Sequence, residues 1–215
     1  MKRHCGTAVL LIAAIAACAF GQTEVGLKMG LNASRFAFAA SPEDSWSSRW
    51  TSCFGGFASF ATRKRLSSQI EVCYVRKGAT ATGAYAGSEV IIRERLAYIE
   101  GLALMNLRIW SRNRISVDAQ AGIFGASRVG AKTLTTFQGE TAEEDIRSEI
   151  RSLDGGIAAG LEGRWRAWRL DVRATIGLAD LRADRGIGSS VKNRSFSLTI
   201  GYGFRLVKFA SGAAH

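Results

Sequence analysis

Histidine and proline are nearly absent from this chain: 215 residues carry two His and one Pro, Pro42. Cysteine is scarce too, at four, and no two cysteines form a C-x-x-C pair. One histidine, His4, sits in the leader-like start and the other, His215, is the last residue. Neither a His-built metal cluster nor a Ser/His/Asp or Asp/His catalytic set can be assembled from such a sequence. The expectation is therefore no catalytic residue, no metal ligand and no cofactor. Also missing, beyond residue 21, is any apolar run approaching the roughly 18 residues of a spanning helix. Glycine, in contrast, is plentiful at 24 and spread along the chain, with 47% hydrophobic residues, which excludes a disordered or low-complexity protein.

The N-terminus has the layout of an export signal. Lys2, Arg3 and His4 precede the apolar stretch "TAVLLIAAIAACAF", and small residues lead into "GQTEVG". Residues 1–21 are expected to be a signal peptide, cleaved near Gly21 or Gln22. A second reading takes Ile15-Ala16-Ala17-Cys18 as a lipobox with Cys18 lipidated. Either way Cys53 and Cys73 remain, in consecutive predicted strands. A hairpin centred near Arg63 would bring them opposite one another or nearly so. A cross-strand disulfide and two free wall cysteines both stand, since a register shift of two would forbid the bond. Removing Lys2 and Arg3 from 29 basic residues leaves 27 against 18 acidic ones, a mature charge of +9. Such a charge admits nucleic acid or an anionic membrane surface as partner, and its placement has to decide.

What fills the rest is alternation. In "NRSFSLTIGYGFRL" (193–206), Phe196, Leu198, Ile200, Tyr202, Phe204 and Leu206 share one parity, and Ser195, Ser197, Thr199, Gly201, Gly203 and Arg205 the other. A strand turns these into one apolar and one small, polar ribbon. The same rhythm divides the mature chain into eight strands: 23–36, 51–62, 67–78, 95–110, 115–127, 153–165, 168–181 and 193–206. Only 51–62 is ambiguous in parity. Connections alternate between short ("RKRL", "SRNR", "RA") and long, the longest being 129–150, which holds the helix-like "TAEEDIRSEIR". Short turns at one end and long loops at the other predict an all-β, eight-stranded antiparallel up-and-down barrel, with short periplasmic turns and longer external loops.

Whether the apolar ribbon faces lipid or a core is decided by three features. The apolar face of the last strand runs 11 residues, about 28 Å of height at ~3.3 Å rise and ~40° tilt, close to the ~25 Å band of outer-membrane barrels. The other parity carries glycines and charges of both signs, which suit a crowded lumen. These charges are Glu71, Glu100, Asp118, Glu162 and Asp171 against Lys28, Arg108, Arg164, Arg169, Arg173 and Arg205. An eight-stranded lumen is just wide enough to be filled by side chains, so these charges are expected to pair, with a proton or small-ion path as the alternative role. Tryptophans collect at strand ends: Trp110, Trp165 and Trp168 at the short turns, and Trp46 and Trp50, with Phe36 and Phe38, at the first long loop. Both groups suit interfacial girdles. Basic residues concentrate in the short turns (Arg63, Lys64 and Arg65; Arg112 and Arg114; Arg164, Arg166 and Arg169), with no basic face interleaved with aromatics. That distribution excludes nucleic acid as partner and favours outer-membrane lipid.

With the strands placed, residues 23–206 resemble the outer-membrane β-barrel family of PorT-like, porin-family proteins. The pieces that carry the resemblance are "GLKMGLNASRF", "SQIEVCYVRKGAT", "LAYIEGLALM", "VDAQAGIFGA", "SLDGGIAAGLEGRW", "RLDVRATIGLADL" and "KNRSFSLTIGYGFRL", in that order. Gly101-Leu102 departs from the Ile-Pro frequent in the family, and the tail "VKFASGAAH" runs past the expected terminal strand. Thr199, Gly201, Phe204 and Leu206 also resemble the closing-strand signal read by the outer-membrane assembly machinery. The resemblance implies a Gram-negative outer-membrane protein with signal peptide 1–21, barrel 22–206 and tail 207–215. The expected function is a non-enzymatic, monomeric barrel with a packed, charged lumen and a structural or surface-interaction role through its long loops, above all 129–150. The alternatives are a soluble secreted barrel binding a small hydrophobic ligand, or a narrow transport channel.

Overall fold

The computed structural model describes residues 23–38, 46–85, 88–148, 150–181 and 191–206. The expected signal peptide with Cys18, and the tail 207–215 with His215, lie outside the described residues. The strands are β1 (Thr23–Phe38), β2 (Trp46–Arg63), β3 (Leu66–Lys77), β4 (Ala79–Tyr85) and β5 (Ser88–Arg112). They continue as β6 (Ile115–Phe137), β7 (Glu140–Asp145), β8 (Leu153–Trp165), β9 (Trp168–Gly177) and β10 (Val191–Leu206).

Antiparallel pairing runs β1–β2–β3–β5–β6–β8–β9–β10, and β10 returns to β1 in unbroken register from Thr23↔Leu206 to Phe38↔Val191. The ring is therefore an eight-stranded closed barrel without a free edge. β4 follows β3 after Gly78 alone and pairs with the upper ends of β2 and β5, while β7 pairs with the upper end of β6. These two short strands raise the wall on one side of the external mouth.

The period-2 pattern becomes an inside and an outside. Outward stand Leu27 at 70% and Ile123 at 64% exposure, with Met29, Leu107, Ile157, Leu170, Ile200 and Phe204 among many others. Inward stand Glu71 and Asp118 at 1% each, with Lys28, Glu162, Asp171 and Arg173 also buried. An apolar belt this extensive facing out of a closed barrel is stable only in lipid. The soluble alternative, with its apolar faces turned inward, is thereby excluded. No helix of the described residues is long and apolar enough to cross a membrane, and the crossing is made by strands.

Five sequence expectations need correction. The segment 129–150 is not a loop with a helical stretch. β6 continues to Phe137, and Gln138 (φ 50°) and Gly139 (φ 85°) make a two-residue turn into β7. Two consecutive positive φ values match the right-handed twist of a hairpin, and the Thr-rich 133–136 favours strand over helix. In the same way β5 begins at Ser88 rather than 95, β4 occupies what was expected to be loop, and β2 starts at Trp46 rather than 51. Finally, β9 ends at Gly177, four residues before its expected end.

Candidate functional site in the barrel lumen

The lumen is built by the inward parity of every ring strand, and its charges lie in layers. At mid-height, Lys28 of β1 donates from Nζ to both oxygens of Glu71 on β3, at 3.1 and 3.0 Å. Arg173 of β9 reaches the same carboxylate with two nitrogens, Nη1 to Oε2 at 2.9 Å and Nη2 to Oε1 at 2.8 Å. Asp171, two residues away on the same face, pairs with Arg173 and lies 3.6 Å from Lys28 Nζ. The bidentate geometry fixes the guanidinium in a way a lysine could not reproduce.

Towards the short-turn end, Arg169 lies 3.0 Å from Glu24 and 3.2 Å from Glu162. Arg164 bridges Glu162 at 2.6 Å and Asp118 at 3.1 Å, and Arg108 meets Asp118 at 3.0 Å. Neutral amides knit these layers together. Gln69 accepts from Arg169 at 2.8 Å and donates to Glu71 at 2.7 Å, and Gln120 accepts from Arg173 at 3.1 Å. The Arg169 guanidinium also sits 4.2 Å from the Phe57 ring centroid. Phe57 in turn explains one wall glycine: a Cβ on Gly26 would come within 2.4 Å of that ring and 2.2 Å of the Tyr202 carbonyl.

Towards the external end, Lys77 pairs with Glu100 at 2.7 Å, its ammonium 4.9 Å from the Phe124 ring and 5.5 Å from the Tyr98 ring. Around it lies a buried apolar cluster including Leu96, Leu102 and Leu104, closed by Ile146 and Leu181 from the external connections and by Val191 at the start of β10. The cavities inside the charged layers are about 30 and 10 Å³. The larger has room for about one water. At the periplasmic mouth a cavity of about 500 Å³ opens, lined by Arg63, Arg65, Arg108, Arg164 and Arg205 with Glu24 and Asp118.

Of the eleven charges expected inside, ten have an opposite charge within 4 Å in this network, and Arg205 lies instead at the exposed periplasmic rim. Glu24 and Lys77 complete it, so that six cations (Lys28, Lys77, Arg108, Arg164, Arg169 and Arg173) face six carboxylates. Lys77 shares the parity of Gln69, Glu71 and Cys73, and that was the signal for it. Tyr98, Leu102, Leu104 and Phe124 carried no such signal, because an apolar residue on the luminal face reads as a break in the alternation.

Cys53 and Cys73 both face the lumen as free thiols, because Cys53 is opposite Val75 and Cys73 opposite Gly55. That offset of two is the register that rules out the bond. Trp110, Trp165, Trp168 and Trp50 are half exposed at the strand ends, with Trp168 edge-on to Tyr202 at 5.0 Å. The side chains of Phe36, Phe38 and Trp46 lie outside the described ones. Among the described residues no cluster of three or more His, Cys, Asp and Glu could hold a metal ion.

A family model described as outer membrane protein beta-barrel domain matches residues 20–182. Solved structures with similar architecture include Ail, the attachment invasion locus protein of Yersinia pestis (13% identity, TM-score 0.43, 84% of this chain and 98% of that one). Neisserial surface protein A is 12% identical, with a TM-score of 0.46 over 86% of this chain and 99% of its own. The outer membrane protease OmpT from Escherichia coli is 8% identical, with a TM-score of 0.44 over 86% and 97%. No curated protein matches the sequence.

Proposed function

The chain belongs to the outer membrane protein beta-barrel domain family, and on that premise we propose that it is a non-enzymatic, plugged barrel acting at the cell surface through its external hairpins. The observation that carries this is the height of β5 and β6. At 25 residues, ~3.3 Å rise and ~40° tilt, β5 climbs about 60 Å, more than twice the ~25 Å apolar band. β7, exposed at all six positions, tops the same wall. Rigid hairpins held clear of the membrane are suited to presenting side chains to a partner. A transport role is disfavoured by the paired charges and by cavities of only about 30 and 10 Å³ inside the lumen. An enzymatic role is disfavoured because six luminal carboxylates are taken up by cations, buried Asp154 is held by Asn193 and the Gly155 amide, and no histidine lies among the described residues to act as general base.

The closed ring offers no edge for a second copy, which favours a monomer. Thr199, Gly201, Phe204 and Leu206 of β10 are proposed as the signal handed to the assembly machinery. The test is adherence of displaying cells to bare and protein-coated glass, together with planar-bilayer conductance of the purified protein. Adherence is expected to fall to the level of empty cells when 134–145 is cut back to a two-residue turn, with conductance at baseline throughout. Equal adherence by wild-type and empty cells, or stepwise conductance, would overturn the reading.

A further inference from the structure

Above the lipid belt the outward apolar faces give way to arginine. On β3, Tyr74 is followed on the same face by Arg76, and on β5, Ile99 and Ala97 are followed by Arg95. The register sets Arg76 opposite Ala97 and Arg95 opposite Lys132. Next to them the wall opens. β2 pairs with β3 from Cys53 and with β4 only up to Ser48, so residues 49–52 have no ladder partner on that side. Thr51 Oγ1 spans the opening to the Arg76 carbonyl at 2.6 Å.

Arg49, Arg76, Arg95 and Lys132 line one cavity of about 530 Å³ here, together with Trp50 and Tyr74. Lys132 already pairs with Glu143. Among the described residues, no carboxylate lies within ion-pair distance of Arg49, Arg76 or Arg95. Arg49 Nη1 is buried with no acceptor. Every cation of the luminal network, by comparison, has its carboxylate. Three guanidiniums gathered around a cavity with no paired carboxylate among the described residues repel one another, and an oxyanion with several acceptors would convert that repulsion into forked, charge-assisted hydrogen bonds.

We propose that this cleft binds the phosphate group of an outer-leaflet lipid. A lipid phosphate is favoured over a free one because the cleft opens on the outward side of the wall. Trp50 marks the interfacial level there, and the floor continues into the lipid-facing Phe54, Val72 and Ile99. Acyl chains would run down those apolar faces while the phosphate sits among the arginines.

The test is native mass spectrometry of the detergent-solubilised full chain with three probes: bis-phosphorylated lipid A, the same lipid dephosphorylated, and inorganic phosphate. The wild type is expected to hold the phosphorylated lipid about tenfold or more tightly than the dephosphorylated one, the equivalent of one charge-assisted hydrogen bond. The triple variant Arg49→Gln, Arg76→Gln, Arg95→Gln, its fold checked by heat-dependent gel mobility, is expected to lose that preference. Arg112→Gln with Arg114→Gln, at the opposite rim, is expected to keep it. Equal retention of the two lipids by the wild type overturns the proposal without any variant. Loss of preference in the opposite-rim variant reduces it to net charge, which also overturns it. Displacement of the lipid by millimolar inorganic phosphate would make free phosphate the ligand and remove the lipid assignment.

Discussion

Replacing Glu71 with glutamine tests the luminal network at its most connected point. Glu71 accepts from Lys28 at 3.0 Å and from Arg173 at 2.8 Å, and all three side chains are buried. Lys28 and Arg173 balance Glu71 and Asp171 two against two, so Glu71→Gln leaves one positive charge uncompensated in a site sealed from water. At ~3 Å and an effective dielectric of about 20, each attraction is roughly 5 kcal/mol before desolvation is counted. Measured costs of breaking a buried pair by removing one partner fall near 3–5 kcal/mol, and that is the expected destabilisation here. Lys28→Met alone is expected to cost a similar amount. Lys28→Met with Glu71→Gln restores neutrality around Arg173 and Asp171, so the double variant should lose about 1–3 kcal/mol less than the sum of the singles. Urea unfolding of vesicle-inserted protein, followed by tryptophan fluorescence, reads this as a shift in midpoint at constant slope. A Glu71→Gln cost under about 1 kcal/mol, or strict additivity in the double variant, would refute the idea that these charges hold the barrel as a coupled unit.

Four further outcomes are expected. Detergent-refolded protein should migrate faster on gels unboiled than boiled, and a single heat-independent band would contradict barrel closure between β1 and β10. Met29→Arg, on the lipid-facing belt midway between the Tyr202 and Trp50 levels, should cost about 2–4 kcal/mol in bilayers, whereas no loss would mean that this face meets water. Gly139→Val removes a glycine at φ 85°; hydrogen exchange should show lost protection along the β6–β7 tip with the ring amides unchanged, and protection lost throughout would refute a separable tip. Arg147 holds the exposed Asp145 carboxyl below its ordinary value, first by its side-chain hydrogen bond. The contact between them is therefore present at neutral pH and lost as pH falls through the depressed midpoint. Carboxyl NMR titration should show that midpoint rising in Arg147→Gln, and an unchanged midpoint would remove Arg147 as the cause.

The ring was legible in the sequence because lipid on one side and a crowded lumen on the other impose opposite demands on successive residues. β9 shows it most simply: Trp168, Leu170 and Ile176 point out, while Arg169, Asp171, Arg173 and Thr175 point in. β2 was ambiguous because aromatics fall on both parities, Phe54 to lipid and Phe57 into the lumen beneath Arg169. The pairings themselves could not be read from spacing. Glu71 finds its partners 43 and 102 residues away, and only ring closure brings Lys28 and Arg173 to one carboxylate. The 141–151 stretch misled because its acids and arginines fall at helical spacing, while the deciding signal was a Gln-Gly turn joining two ribbons too exposed to show a buried face. The cleft at Arg49 escaped notice because it depends on an opening between β2 and β3 that no local pattern announces.

The strongly basic composition follows from the same partition. Within the salt-bridged network, charge cancels at six against six, because an unmatched ion there would cost several kcal/mol, and the further buried carboxylate, Asp154, accepts from Asn193 Nδ2 at 2.7 Å and from the Gly155 amide at 2.8 Å. The surplus of 11 basic residues in the whole chain must therefore lie outside the luminal network. It collects at the short turns, around Arg63, Lys64, Arg65, Arg112, Arg114 and Arg166, and above the external aromatic level at Arg76, Arg93 and Arg95. Charge placed at both margins of an apolar belt resists vertical displacement of the barrel, since sliding either way would drag guanidiniums into hydrocarbon. A basic isoelectric point in this fold is thus a property of two interfaces. The external one gathers three arginines around an opening in the wall, where ordinary anchoring would have spread them round the rim.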